Sequence, residues 1–157
     1  MRDRDATGRA RNARPRDALG RPLPHGAAGE PVLPDEIVVT PAWAITTAQE
    51  MLNDDRPFHA HEVLEAAWKA AGPAERDLWQ GLAQLAVGLT HARRGNPRGA
   101  VTLLRRGCAR LAGYAGTSPD GIDVDGVRRQ ATDLAGEIED RGLAEVPAAR
   151  LRLSLTR

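Results

Sequence analysis

The chain reads as all-α: a compact bundle of about five helices flanked by extended arms. Three observations carry that reading. Apolar residues recur at helical spacing in five stretches between residues 41 and 141. Every proline between those positions falls in a break or in the first turn of a stretch, where a missing N–H costs nothing. Only 36-EIVVT-40 and 146-VPAARLRLSL-155 alternate as strands do, which is too little for a full sheet.

The first helix starts at Pro41 with Thr40 as its N-cap, and Trp43, Ala44, Ala48, Met51 and Leu52 fall on one face. The break 53-NDDRP-57 ends it. Pro57 opens a second helix to residue 71, with the stripe Ala60, Val63, Leu64, Ala67 and Ala71. Gly72-Pro73 breaks the chain again. A long third helix, about 74–94, aligns Leu78, Leu82, Leu85, Leu89 and Ala92. After the turn Gly95-Asn96-Pro97 a fourth helix, about 97–113, turns Ala100, Leu103, Leu104, Gly107 and Leu111 inward. Beyond 116-GTSPDG-121, Asp123 caps a last helix whose stripe is Val124, Val127, Ala131, Leu134 and Ile138. Residues 1–40 form an Arg/Pro/Gly-rich arm in which Leu19, Leu23 and Val32 could pin the chain across the core. Residues 41–141 form one helical domain, and 142–157 an extended tail.

An echo runs through the helical part. Arg56-Pro57-x-x-Ala60-x-x-x-Leu64 recurs forty residues later as Asn96-Pro97-x-x-Ala100-x-x-x-Leu104. Each copy opens the second helix of a hairpin, and the small residues Ala60, Ala67, Ala100 and Gly107 permit close helix approach. The pattern resembles the tetratricopeptide hairpin, with Gly88, Gly95, Asn96, Ala100 and Leu104 at its spacing. About one and a half repeats are visible, so two hairpins in a bundle are expected in place of a superhelix.

The net charge of +1 hides a strong segregation. Residues 35–77 hold nine acids and three bases, whereas residues 78–119 hold six arginines and no acid. Two mutually attracting halves, within the chain or across a homodimer, are the preferred explanation. The sharper alternative makes Arg93, Arg94, Arg98, Arg105, Arg106 and Arg110 an anion- or nucleic-acid-binding face. No aromatic lies between Trp79 and Tyr114 to stack on bases, which argues against nucleic acid. One cysteine, Cys108, excludes an intrachain disulfide and is expected to be a buried, inert thiol. No apolar run is long enough for a membrane span, and the basic N-terminus lacks the apolar core of a secretory signal, so the cytoplasm is the expected location.

The chemistry concentrates in 58-FHAHEVLEAAWK-69. His61 and Glu65 are i, i+4 neighbours at the edge of the buried face, with Trp68 beside them and Glu62 further out. On the next helix Gln80, Gln84 and His91 share a stripe. Antiparallel packing of the two helices would join these stripes into one seam. Four uses compete for it. The plainest is a satisfied polar network. A divalent metal could sit on His61, Glu65 and His91 with Glu62 as general base, although HEVLE lacks the second histidine of the zinc-peptidase HExxH. A metal-free acid–base pocket could form around His61. Trp68 and Trp79 could anchor a protein contact. His59 lies about 200° round the helix from His61 and makes no chelating pair with it. His25 lies in the arm and is expected to face solvent. No phosphate loop, nucleophile elbow or dinucleotide fingerprint occurs.

Phe58-x-x-His61-Glu62-x-x-Glu65-x-x-Trp68, Gln80-Gly81-x-x-Gln84-x-x-x-Gly88-x-x-His91 and Gly95-Asn96-x-x-Gly99-Ala100 together resemble a small prokaryotic helical family, domain of unknown function number 309. The resemblance covers about residues 42–113. The arm RPRDALGRPLP and 121-GIDVDG-126 are similar to what actinobacterial members carry at their ends, which implies an ordered wrap. The resemblance implies a fold and no established reaction. The resulting expectation is a non-catalytic module whose seam of His61, Glu62, Glu65, Trp68, Gln80, Gln84 and His91 binds a small molecule or a protein. A metal-dependent, hydrolase-like enzyme is the runner-up, and the arginine face is a third class.

Overall fold

The computed structural model describes residues 38–157, and of the preceding arm only the backbone pairing of two short strands. These are β1 (Asp3–Arg4) and β2 (Ala10–Arg11), antiparallel, with Asp3 opposite Arg11 and Arg4 opposite Ala10. The remaining expectations for the arm, including its wrap, its pinning residues, His25 and residues 36–37, lie outside the described residues.

Five helices follow: α1 (Pro41–Asn53), α2 (Pro57–Ala70), α3 (Arg76–Arg93), α4 (Pro97–Leu111) and α5 (Val124–Arg141). Their starts follow local chemistry. Thr40 Oγ1 accepts from Trp43 N at 3.1 Å, Asn96 Oδ1 from Gly99 N at 3.0 Å, and Asp123 Oδ1 from Gly126 N at 3.1 Å. Proline occupies the first turn of α1, α2 and α4. At its far end α5 stops at Gly142, whose φ of 81° and ψ of 164° suit only a residue without Cβ.

The helices pack in chain order, α1 on α2, α2 on α3, α3 on α4 and α4 on α5, with α3 at the centre. The expected stripe of α3 is buried, and Trp79, Ala83 and Ala86 are buried with it. A helix flanked on two sides needs two apolar stripes, so α3 is apolar over most of its circumference. The α3–α4 contact is tight because glycine faces it. A Cβ on Gly88 would meet Ala100 O and Leu104 N at 3.1 Å, and one on Gly107 would meet Gly81 O at 2.9 Å. Leu103, expected inward, is only half-buried, since α4 rotates to present Leu104 and Leu111, both at 0% exposure.

No strand forms in residues 38–157. The tail makes 3-10 turns at Leu143–Glu145 and Ala148–Leu151, and residues 152–157 then lie between α1 and α5. The alternation in LRLSL appears as alternating burial: Leu153 and Leu155 are each 2% exposed, while Ser154 is exposed. Its edges are bonded by side chains. Gln49 of α1 donates from Nε2 to Leu153 O at 2.9 Å and accepts from Leu155 N at 2.8 Å. Gln130 of α5 donates from Nε2 to Ser154 O and accepts from Ser154 N, both at 3.0 Å. A primary amide carries one acceptor and a pair of donors, so each glutamine replaces a neighbouring strand's peptide unit.

Two pairs, Asp55 with Arg93 and Asp77 with Arg110, join the acidic segment to the basic one. Asp55 receives Arg93 of α3 and also Arg152 of the tail, at 2.8 and 3.0 Å. Asp77 receives Arg110 at 2.9 Å, and Arg105 pairs with Glu139 of α5. Arg152 donates to the Asp55 carboxylate, and the charges of Arg93 and Arg152 add to that bond in holding its pKa below the usual value of 3.8 against the opposing effect of burial. Among the described residues no helix is long and apolar enough to cross a membrane.

Candidate functional site

Helices α2 and α3 run antiparallel: Trp68 near the end of α2 shares a groove with Gln80 near the start of α3, and Phe58 at the start of α2 lies 5.9 Å from the Arg94 guanidinium just past the end of α3. This alignment brings five of the seven expected seam residues to one place. His61, Glu65, Trp68, Gln80 and Gln84, with Ala83 and Val87 as floor, line a shallow groove of about 230 Å³. The two others lie apart from it. Glu62 is half-buried and does not line the groove. His91 sits at the α3–α4 turn, where its Nδ1 is 3.2 Å from Asn96 Nδ2 and its ring abuts Gly99. Val87, one turn earlier on α3, lines the groove where the stripe placed His91. Among the described residues no three His, Cys, Asp or Glu side chains gather to hold a metal ion, so His61 and Glu65 stand as a pair without His91.

Within the groove His61 Nε2 lies 3.1 Å from Glu65 Oε2, and Lys69 Nζ lies 3.1 Å from Glu65 Oε1. Three residues at successive i, i+4 positions thus form a chain in which Lys69 anchors the carboxylate and the carboxylate orients the imidazole. Burial lowers the His61 pKa below its ordinary value of 6.5; the Glu65 charge opposes this, and Lys69 adds to it. Burial thus favours the neutral imidazole. Facing a carboxylate, its Nε2 carries the proton, which leaves Nδ1 as an acceptor lone pair.

The two glutamines bring the opposite polarity. Arg110 of α4 donates to Gln80 Oε1 at 2.9 Å from Nη1 and to Gln84 Oε1 at 3.3 Å from Nε, besides its pair with Asp77. With both carbonyls engaged by Arg110, the amide N–H groups are the remaining polar groups of these two groove-lining glutamines. Gln84 also lines a second hollow of about 550 Å³ with Asp77, Arg106, Ala109, Arg110 and Gly113. Gln84 is the residue common to both linings.

The arginine face is divided. Arg93, Arg105 and Arg110 are engaged by acids, and Arg94 lies over the Phe58 ring. Arg98 and Arg106 are exposed, Arg106 at the rim of the second hollow. Trp79, expected as a surface anchor beside Trp68, is instead a core residue at 1% exposure, its Nε1 donating to Glu75 Oε1 at 3.2 Å. The helix needs a large apolar group next to Leu78, and a near-surface carboxylate satisfies the indole. His59 is buried, edge-on to Phe58. Cys108 is buried, its sulfur 3.6 Å from Arg128 O and from Thr132 Oγ1.

Periodicity could not single out Gln49 and Gln130. Each directly precedes or follows a buried alanine at the flank of an apolar stripe, and that polar edge position is the one signal they leave.

Residues 45–103 match the family model described as Domain of unknown function (DUF309), a narrower span than the 42–113 expected. "Uncharacterized protein YpuF" of Bacillus subtilis (strain 168) is 48% identical over 48 residues, 30% of this chain. The chain spans only 28% of that relative's length. No solved structure matches. The family similarity runs from α1 into α4, so it takes in every groove residue and stops short of α5 and the tail.

Proposed function

We propose that this protein is a non-catalytic binding module that receives a polar group of a partner or small ligand in the α2–α3 groove. One observation carries the reading: an imidazole paired with a carboxylate, an indole and two amides line the same hollow. At about 230 Å³ the groove lies below the usual range of roughly 300–1,000 Å³ for small-molecule pockets. It suits one side chain or a few polar atoms better than a whole cofactor. Offered there are N–H donors from Gln80 and Gln84, an acceptor at His61 Nδ1 and an apolar wall from Trp68. This mixture matches an amide or a hydroxyl-bearing group.

Proton–nitrogen NMR of the full chain, titrated with small primary amides and carboxylates, tests this. Shifts should cluster at the Trp68 indole and the Gln80 and Gln84 amides, and Gln84→Ala should weaken them several-fold. Shifts confined to other surfaces, or unaltered by Gln84→Ala, would overturn the proposal.

A further inference from the structure

The segment 152–157 is held as a bound peptide is held, and it lies far in sequence from what holds it. Both edges of its backbone are met by the amides of Gln49 and Gln130, which read main chain and are indifferent to side chains. Asp123 N adds a bond to Leu155 O at 2.8 Å. Two apolar seats take Leu153 and Leu155. Acids stand at the two ends, Asp55 on Arg152 and Asp123 within 3.8 Å of Arg157.

Each of these four holding residues also has a partner outside the tail. Gln49 Nε2 is 3.1 Å from Asn53 Oδ1, and Gln130 Nε2 is 3.2 Å from Gly126 O. Asp55 is engaged by Arg93, and Asp123 caps α5. Each holding side chain is thus fixed by a second partner in the wall of the cleft, which is how a preorganised binding site is built. The connection leaves α5 at Gly142, rests Leu143, Val146 and Leu151 against the core and pairs Arg150 with Glu137 at 3.0 Å, while residues 147–150 are exposed.

We infer that the cleft between α1 and α5 is a receptor for an extended peptide of pattern Arg-Leu-x-Leu-x-Arg, occupied in cis by the chain's own residues 152–157 and in trans by a segment of a partner protein. The site is separate from the α2–α3 groove. A tail tethered by a short linker competes at millimolar effective concentration, so a peptide added in trans meets a self-occupied site.

The probe is a fluorescein-labelled peptide of residues 150–157, followed by anisotropy. Full-length Leu153→Asp/Leu155→Asp, whose tail no longer fits, should bind it at least about tenfold more tightly than the unaltered chain does. Adding Gln49→Ala and Gln130→Ala should weaken that binding at least about tenfold, the loss of several backbone hydrogen bonds. Absence of binding by the tail-displaced variant, with its helical circular dichroism intact, would overturn the inference. Hydrogen exchange on the unaltered chain decides the case even where that variant fails to fold. Amides of Ser154 and Leu155 should exchange about a hundredfold or more faster than those of Leu85 and Leu104, through local release. Equal protection would make the tail a permanent part of the core. Dimers that exchange tails in concentrated solution would assign the cleft to a second copy and overturn the partner reading.

Discussion

The α3–α4 contact and the α1–α5 cleft solve the same problem in opposite ways. Between α3 and α4, glycine and alanine remove side-chain bulk until backbone meets helix backbone, and dispersion across a dry surface holds the pair. Between α1 and α5 the helices are spanned by six residues of tail, fastened by glutamine amides and two leucines. A contact made by helix backbones tolerates no added atom. One made by an inserted extended segment can tolerate loss of that segment, provided something else fills the seats. The first is architecture; the second has the form of recognition.

The largest expected effect falls on the cleft. Leu155→Ala should lower unfolding free energy by about 3 kcal/mol in urea denaturation, as for a fully buried leucine. A loss under about 1 kcal/mol would mean that the tail contributes little to the fold, and the contrast with α3–α4 would sharpen.

Gly107→Ala probes the other contact. Its new Cβ would meet Leu85 Cδ2 at 2.5 Å and Gly81 O at 2.9 Å, and the second of these is backbone that cannot yield cheaply. A destabilisation of about 2 kcal/mol is expected. Gly136→Ala in α5, where nothing lies within 4 Å of the added atom, should instead stabilise by about 0.5–1 kcal/mol through helix propensity. Equal effects at the two glycines would erase the distinction drawn for α3–α4.

The smallest effect concerns the α2–α3 groove, which belongs to neither contact. The folded-state pKa of His61 is depressed below 6.5, so near and below that pH the unfolded chain binds a proton that the folded chain resists. Its contribution is intact above 6.5 and is lost as pH falls through the window beneath it. Between pH 7.5 and 5 this contribution opposes that of Asp120, whose carboxyl is pushed up to about 6 by its hydrogen bond with Glu75, so His61→Gln should lose less stability on acidification than the unaltered chain. An unchanged slope in His61→Gln would show that the groove imidazole titrates freely.

The helices were legible because each carries its own punctuation. Thr40 and Asp123 announce caps, Pro57 and Pro97 announce first turns, and the leucine spacing of α3 announces a buried face. Half of the groove was legible for the same reason: i, i+4 geometry joins His61 to Glu65 whatever surrounds them. Its other half depended on how α2 packs on α3, which brings Val87 into the groove and leaves His91 at the Asn96 turn. Trp79 was misjudged because a period assigns one face per helix, and α3 buries more than one.

Local rules in the chain determined which segments are helices, where they start and which stripe each buries, because hydrogen bonding and side-chain spacing within a helix act over four residues. Only the tertiary structure decided that residues 152–157 lie between α1 and α5, with Gln49 and Gln130 as their edges. The Gln49 contacts join positions 104 and 106 residues apart and the Gln130 contacts positions 24 apart, and no periodic signal links an amide on a helix to a peptide bond in the tail.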